Sequence, residues 1–187
     1  MGTGNAEVEQ CFRPRVTPLA QALSAHGFAL DDVTAVGHSH LHFDHCGQNT
    51  LLPGRRVYVQ ATELAAVDEP DYTVPEWVGR GVVEFVELDG GETEIGPGIT
   101  ILATPGHTDG HQSLVVRTEA GPVLLAGQAV YTAAEWEGST GPRLSGLPSA
   151  ADSSAYAESV RRLRSLDPVR VHFAHDLDAW NRPEPER

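Results

Sequence analysis

The chain has 187 residues with 26 acidic groups against 13 basic ones, a formal net charge of −13. Hydrophobic residues make up 40% and charged residues 21%, an ordinary globular composition that excludes a disordered chain. At about 150 residues per domain the length predicts a single domain, 1–181, with 182–187 as a disordered tail. A net charge of this sign without a basic cluster argues against nucleic acid and anionic membrane as partners. No apolar run approaches the roughly 18 residues of a membrane span. All the basic residues are arginine, which with the abundant Ala, Gly and Val points to a GC-rich bacterial genome. Met1 to Gln10 does not read as a secretory signal, and Cys11 and Cys46 make no disulfide framework. The expected setting is therefore cytoplasmic.

The first predicted element is a helix over Thr17–His26, with Thr17 as cap, Pro18 in the first turn and Gly27 as left-handed stop. A buried strand over Val33–Gly37 follows, then a strand over Arg56–Gln60 and a helix from about Thr62 carrying Leu64, Ala65 and Val67. Glu69–Gly81 holds two prolines and reads as a surface excursion. Strands are then expected at Val82–Leu88, Glu92–Ile95 and Ile99–Ala103, and a hairpin joins Ser113–Arg117 to Pro122–Ala126. A helix over Asp152–Leu166, capped by Asp152 or Ser153, would bury Tyr156, Val160, Leu163 and Leu166. Val169–Ala174 closes the series as a strand. The class is mixed α and β.

Four of the nine histidines fall within His38-Ser39-His40-Leu41-His42-Phe43-Asp44-His45, directly after the Val33 strand. In extended geometry His40 and His42 project to one side, and a turn after His42 brings Asp44 and His45 to a second position. Such imidazole and carboxylate sets suit zinc, with iron, manganese or cobalt as alternatives. His107, Gln128 and His175 each stand just past an apolar strand, where loops of layered α/β proteins converge on ligands.

The pattern His40-x-His42-x-Asp44-His45, with Thr-Pro-Gly-His107 and Ala-His175-Asp, resembles the metallo-β-lactamase fold superfamily. Phe12-Arg13-Pro14, the Leu41 and Phe43 filling of the cluster, and Gly-His-Gln after His107 are most similar to the quorum-quenching N-acyl homoserine lactonases. That resemblance implies an α+β fold, an αββα sandwich with a two-metal site at its rim. It implies that His40, His42 and His107 bind the first metal, and that Asp44, His45 and His175 bind the second. The implied reaction is the opening of a lactone or related ester by metal-bound hydroxide. Asp44 would also steer the released proton, and Tyr131 would donate to the developing oxyanion.

Two features depart from the family pattern. The family carries Ala-Gly-Asp where this chain has Ala-Gly-Gln128, so the bridging position offers one neutral amide oxygen as a weak ligand. A pair of divalent ions would keep one extra unit of positive charge, which predicts one or two Zn2+ per chain and a weaker second site. Met1-Gly2-Thr3-Gly4 resembles a turn that follows several N-terminal strands in the family. The expected sheet is then shortened at its N-terminal side, and its exposed edge predicts a homodimer. Alternatives are a thioester or β-lactam hydrolase on the same fold, or a catalytically weak metal-binding homologue. His111 reads as a support for the site rather than a ligand, and His38 and Cys46 as packed residues. Phe43, Trp77 and Trp136 suit a pocket wall and a core equally.

Overall fold

The computed structural model describes residues 6–139 and 153–184. Helices α1 (Ala6–Phe12) and α2 (Leu19–Ser24) lead into strand β1 (Ala35–Gly37) and the single turn of α3 (Phe43–Cys46). Strand β2 (Arg56–Gln60) runs straight into α4 (Ala61–Ala66), and α5 (Pro75–Val78) precedes β3 (Glu84–Leu88). Four strands follow: β4 (Glu92–Gly96), β5 (Ile99–Ala103), β6 (Gln112–Thr118) and β7 (Gly121–Leu125). Helices α6 (Ala133–Trp136) and α7 (Ser153–Ser165) then lead to β8 (Arg170–His172) and β9 (Trp180–Asn181). The first three strands form a parallel sheet in the order β1-β2-β3. The other six form a second sheet in sequence order, antiparallel except where β7 and β8 run parallel.

Period-two alternation assembles the layers. Leu102, Val115, Leu124 and Val171 share one face of the larger sheet and pack with Trp136 of α6 and Leu163 of α7. Their neighbours Ile101 and Leu114 face the other way and meet Tyr58, Val86 and Leu88 of the parallel sheet. The parallel sheet repeats the rule. Val59 turns outward onto Val67 and Val78, and Val57 onto Leu52 and Leu19 of α2. Helix, sheet, sheet and helix thus stack as an αββα sandwich, the α+β class that the sequence predicts.

Several local expectations need correction. Thr17 does not cap α2. Pro18 holds the cap position without a side-chain bond, and Gln48 Oε1 accepts from Leu19 N–H at 2.6 Å instead. The helix is therefore shorter than expected, although Gly27 does take the left-handed conformation at φ 82°. A helical turn at Leu30–Asp32 delays β1 to Ala35. The stretch 69–81 is more than a surface excursion, because it contains α5 and buries Val78 completely. Helix α1 is an element that the sequence pattern does not predict. Asp152, Met1–Gly4 and the last three residues of the expected tail lie outside the described residues. Among the described residues, no helix is long and apolar enough to cross a membrane.

Leu163 is fully buried between α7 and the larger sheet. Leu163→Ala should lower unfolding free energy by about 2–5 kcal/mol, read by urea denaturation. A loss below about 1 kcal/mol would contradict this packing.

Candidate metal centre

Loops leaving the C-terminal ends of β1, β5, β7 and β8 carry His40/His42, His107, Gln128 and His175 respectively. The histidine run is not an extended strand. It leaves β1 at Gly37, and His42 stands at the cap of α3, so the turn of α3 presents Asp44 and His45 beside the first pair, with the His45 ring 4.0 Å from that of His40. Loop closure, rather than strand alternation, brings the imidazoles together.

His40 Nε2, His42 Nδ1 and His107 Nε2 form a triangle with sides of 3.1, 3.2 and 3.3 Å. The outer nitrogens of two of these rings are already engaged. His40 Nδ1 lies 3.1 Å from Ser39 Oγ, and His107 Nδ1 lies 2.9 Å from the Tyr131 hydroxyl. A neutral imidazole has one N–H, so placing it on those outer contacts leaves lone pairs facing inward. Four-coordinate zinc with bonds of about 2.0–2.1 Å needs nitrogens about 3.3–3.4 Å apart. The donor set fits such an ion closely.

Asp44, His45 and His175 form a second group whose potential ligand atoms all lie within 4.8 Å of one another. Asp44 Oδ2 is 3.5 Å from His45 Nε2 and 3.6 Å from His175 Nε2. Among the described residues, His45 Nε2 and Gln128 Oε1 are buried side-chain atoms without a hydrogen-bond partner. An unpartnered amide oxygen such as Gln128 Oε1 also suits a cation.

Behind this rim lies a set of braces. His111 is fully buried; its Nδ1 is 3.1 Å from the Thr104 carbonyl, and its Nε2 accepts from Gln128 N–H at 2.9 Å. The ring therefore carries its proton on Nδ1 and ties the His107 loop to the Gln128 loop, a support rather than a ligand. Gly127 makes this possible. A side chain there would sit 2.6 Å from Ser39 Cβ and 2.7 Å from His111 Nε2, at φ +60°. His38 packs against Asn49 Oδ1 at 2.6 Å. Cys46 is buried with its thiol toward the Leu41 carbonyl, and burial pushes its pKa up to about 11. Phe43 and Trp77 line an open groove, whereas Trp136 belongs to the core.

Two functional candidates were invisible in the sequence, Glu63 and Glu135. Both look like solvent-facing charges in short helices, yet both are buried. Glu135 accepts from Tyr131 N–H at 2.9 Å and from the Tyr156 hydroxyl, so it holds the turn that presents Tyr131. No local residue pattern distinguishes such a carboxylate from a solvated one.

Burial disfavours the charged form of six histidines. It pushes His107 and His111 down to about 3, and it lowers His38, His40, His42 and His175 as well. Burial alone would raise Asp44, but His45 and His175 beside it hold its carboxyl below the usual range. An unfolded histidine takes up a proton near pH 6.5, while these folded ones do not. Between roughly pH 6.5 and 3 the unfolded chain therefore binds more protons, so stability falls as pH falls. Metal-free protein should melt at progressively lower temperature from pH 7 to pH 5. A constant or rising melting temperature would contradict the buried, neutral assignment.

Comparison with known proteins places this architecture. Residues 3–175 match the Metallo-beta-lactamase superfamily. An N-acyl homoserine lactonase of a Bacillus species is 33% identical over 181 residues, covering 91% of this chain and 68% of that protein. The N-acyl homoserine lactonase AttM of Agrobacterium fabrum is 32% identical, with 84% of this chain and 64% of AttM covered. A solved N-acyl homoserine lactone hydrolase, with N-hexanoyl-L-homoserine bound at its catalytic metal center, superposes with TM-score 0.68 at 32% identity. That match covers 85% of this chain, which spans 62% of the solved enzyme. The chain belongs to the metallo-beta-lactamase superfamily.

Proposed function

We propose that this protein is a metal-dependent hydrolase that opens a lactone ring, with N-acyl homoserine lactones as the substrate class. The observation that carries the reading is the three-nitrogen face of His40, His42 and His107 directly beside the Tyr131 hydroxyl. Zinc suits that face by ligand type and spacing, and Asp44, His45 and His175 would hold a second ion. A divalent ion held there supplies Lewis-acid polarisation of the ester carbonyl and lowers the pKa of water.

The chain's own groups account for the rest. His107 donates its Nδ1 proton to Tyr131 Oη when its Nε2 lone pair faces the site, which frees the tyrosine O–H to donate outward. Burial raises the Tyr131 pKa, so the hydroxyl keeps its proton at neutral pH and serves as a hydrogen-bond donor to a carbonyl oxygen. Asp44, held ionised, is placed to receive the proton released on ring opening. An apolar groove of about 870 Å3 adjoins Asp44 and His45 and is lined by Phe43, Trp77, Val36 and Leu52. Its lining supports a substrate with an apolar acyl chain. The similarity to lactonases favours a lactone over a thioester or β-lactam.

Gln128 favours the reading of a weak enzyme. Its buried amide oxygen reaches no partner, and it brings no charge to a position where the family motif carries an aspartate. Gln128→Asp should raise metal content toward two ions per chain and increase lactone hydrolysis, measured side by side by elemental analysis and ring-opening rate. Replacing both His40 and His42 with alanine should abolish metal content. Two tightly bound metals with high activity in the native chain, or full metal retention in the double variant, would refute these assignments.

The parallel sheet ends at β1, which pairs with β2 alone among the described strands. Open backbone groups along such an edge support pairing between two copies of the chain. Sedimentation at micromolar concentration should give a dimer. A well-folded monomer would exclude this assembly.

A further inference from the structure

We propose that Glu63 is a positioning residue that sets the geometry of the His40–His42–His107 face from behind. The proposal rests on the metal-binding reading of that face. Glu63 is fully buried at the start of α4, and its two carboxylate oxygens divide their contacts between separate parts of the site. Oε1 accepts at 2.7 Å from the backbone N–H of Leu41, the residue between His40 and His42. The same oxygen accepts from the Tyr72 hydroxyl, and the Tyr72 ring packs against His42 with centroids 4.7 Å apart. Oε2 accepts from the Thr108 hydroxyl at 2.6 Å, one residue beyond His107. One carboxylate thus reaches the backbone or ring environment of all three imidazoles.

Backbone packing supports the same conclusion. A side chain on Gly110 would lie 2.4 Å from both N and Cβ of Glu63 and 2.6 Å from its Cα. Only a glycine lets the His107 loop close onto α4 at the point where Glu63 departs. Among the described residues, no hydrogen bond joins Glu63 to the second group, Asp44, His45 and His175. Its effect should therefore be selective for the first position.

Glutamine preserves the shape of Glu63 but not its ability to accept at both ends. Thr108→Val removes only the arm toward His107. Cobalt(II) titration of the full chain at neutral pH reads both affinity and coordination, the latter through the visible absorption bands. Glu63→Gln should weaken cobalt binding at the first position by about 10- to 100-fold and alter its absorption spectrum. Thr108→Val should weaken binding in the same direction, and the double variant should be no worse than Glu63→Gln, because both cut one link. Leu163→Ala is the control for lost stability alone, and it should bind cobalt like the native chain while folded. Native protein that takes up no cobalt overturns both this proposal and the metal-dependent reading. Native protein that binds cobalt while Glu63→Gln or Thr108→Val matches it in affinity and spectrum overturns this proposal alone. Should Glu63→Gln not fold, Thr108→Val against Leu163→Ala decides the matter by the same readout.

Discussion

Three imidazole nitrogens face one another at 3.1–3.3 Å, and nearly everything else around them works to keep them there. Without a cation, inward lone pairs at that distance repel, so the arrangement must be held by surrounding structure. The holding groups come from several elements. Ser39 takes the outer nitrogen of His40, Tyr131 that of His107, and the Tyr72 ring lies against His42. Desolvation adds a second constraint: burial depresses these imidazole pKa values, which keeps nitrogens free for a metal at neutral pH. A preformed site of this kind leaves little reorganisation to be done on binding.

The braces behind the face are polar and mostly satisfied, in keeping with the high cost of an unpaired buried group. Burial raises the Glu63 pKa, and the three hydrogen bonds that its carboxylate accepts only partly counter that rise. His111 links the 104–107 loop to Gln128, and Ser113 continues that link to the Ala126 carbonyl. Gln112 donates to the His38 and Tyr58 carbonyls and so ties the larger sheet to the parallel one beside the site. The sandwich core supplies a rigid platform, and this network transfers its rigidity to the rim. Gln128 stands apart, since its backbone is anchored while its side-chain oxygen has no partner.

Much of this was legible in the sequence because the relevant signals are local. Short strand-forming runs such as Ile99–Ala103 and Arg56–Gln60 coincide with β5 and β2 as observed, and the Glu119-Ala120-Gly121 turn joins a true hairpin. The dense spacing of His40, His42, Asp44 and His45 was equally readable, since few sequences place so many donors after an apolar strand. What escaped was set by tertiary contact. Thr17 lost its capping role because Gln48, 31 residues away, reaches Leu19 through the fold. Val78 sits in a Pro-containing stretch yet is buried, because it packs with Leu41, Cys46, Val59 and Val67 while Asn49 donates to its carbonyl. Glu63 and Glu135 carry the same letters as solvated charges, and only the assembled loops reveal their partners.

The most direct test is anomalous X-ray diffraction at the zinc edge from crystals of the zinc-loaded protein. The dominant peak should lie about 2.0–2.1 Å from His40 Nε2, His42 Nδ1 and His107 Nε2, with any weaker peak among Asp44, His45 and His175. Absence of a peak within the imidazole triangle, or a dominant peak elsewhere, would contradict the assignment of this face as the metal centre.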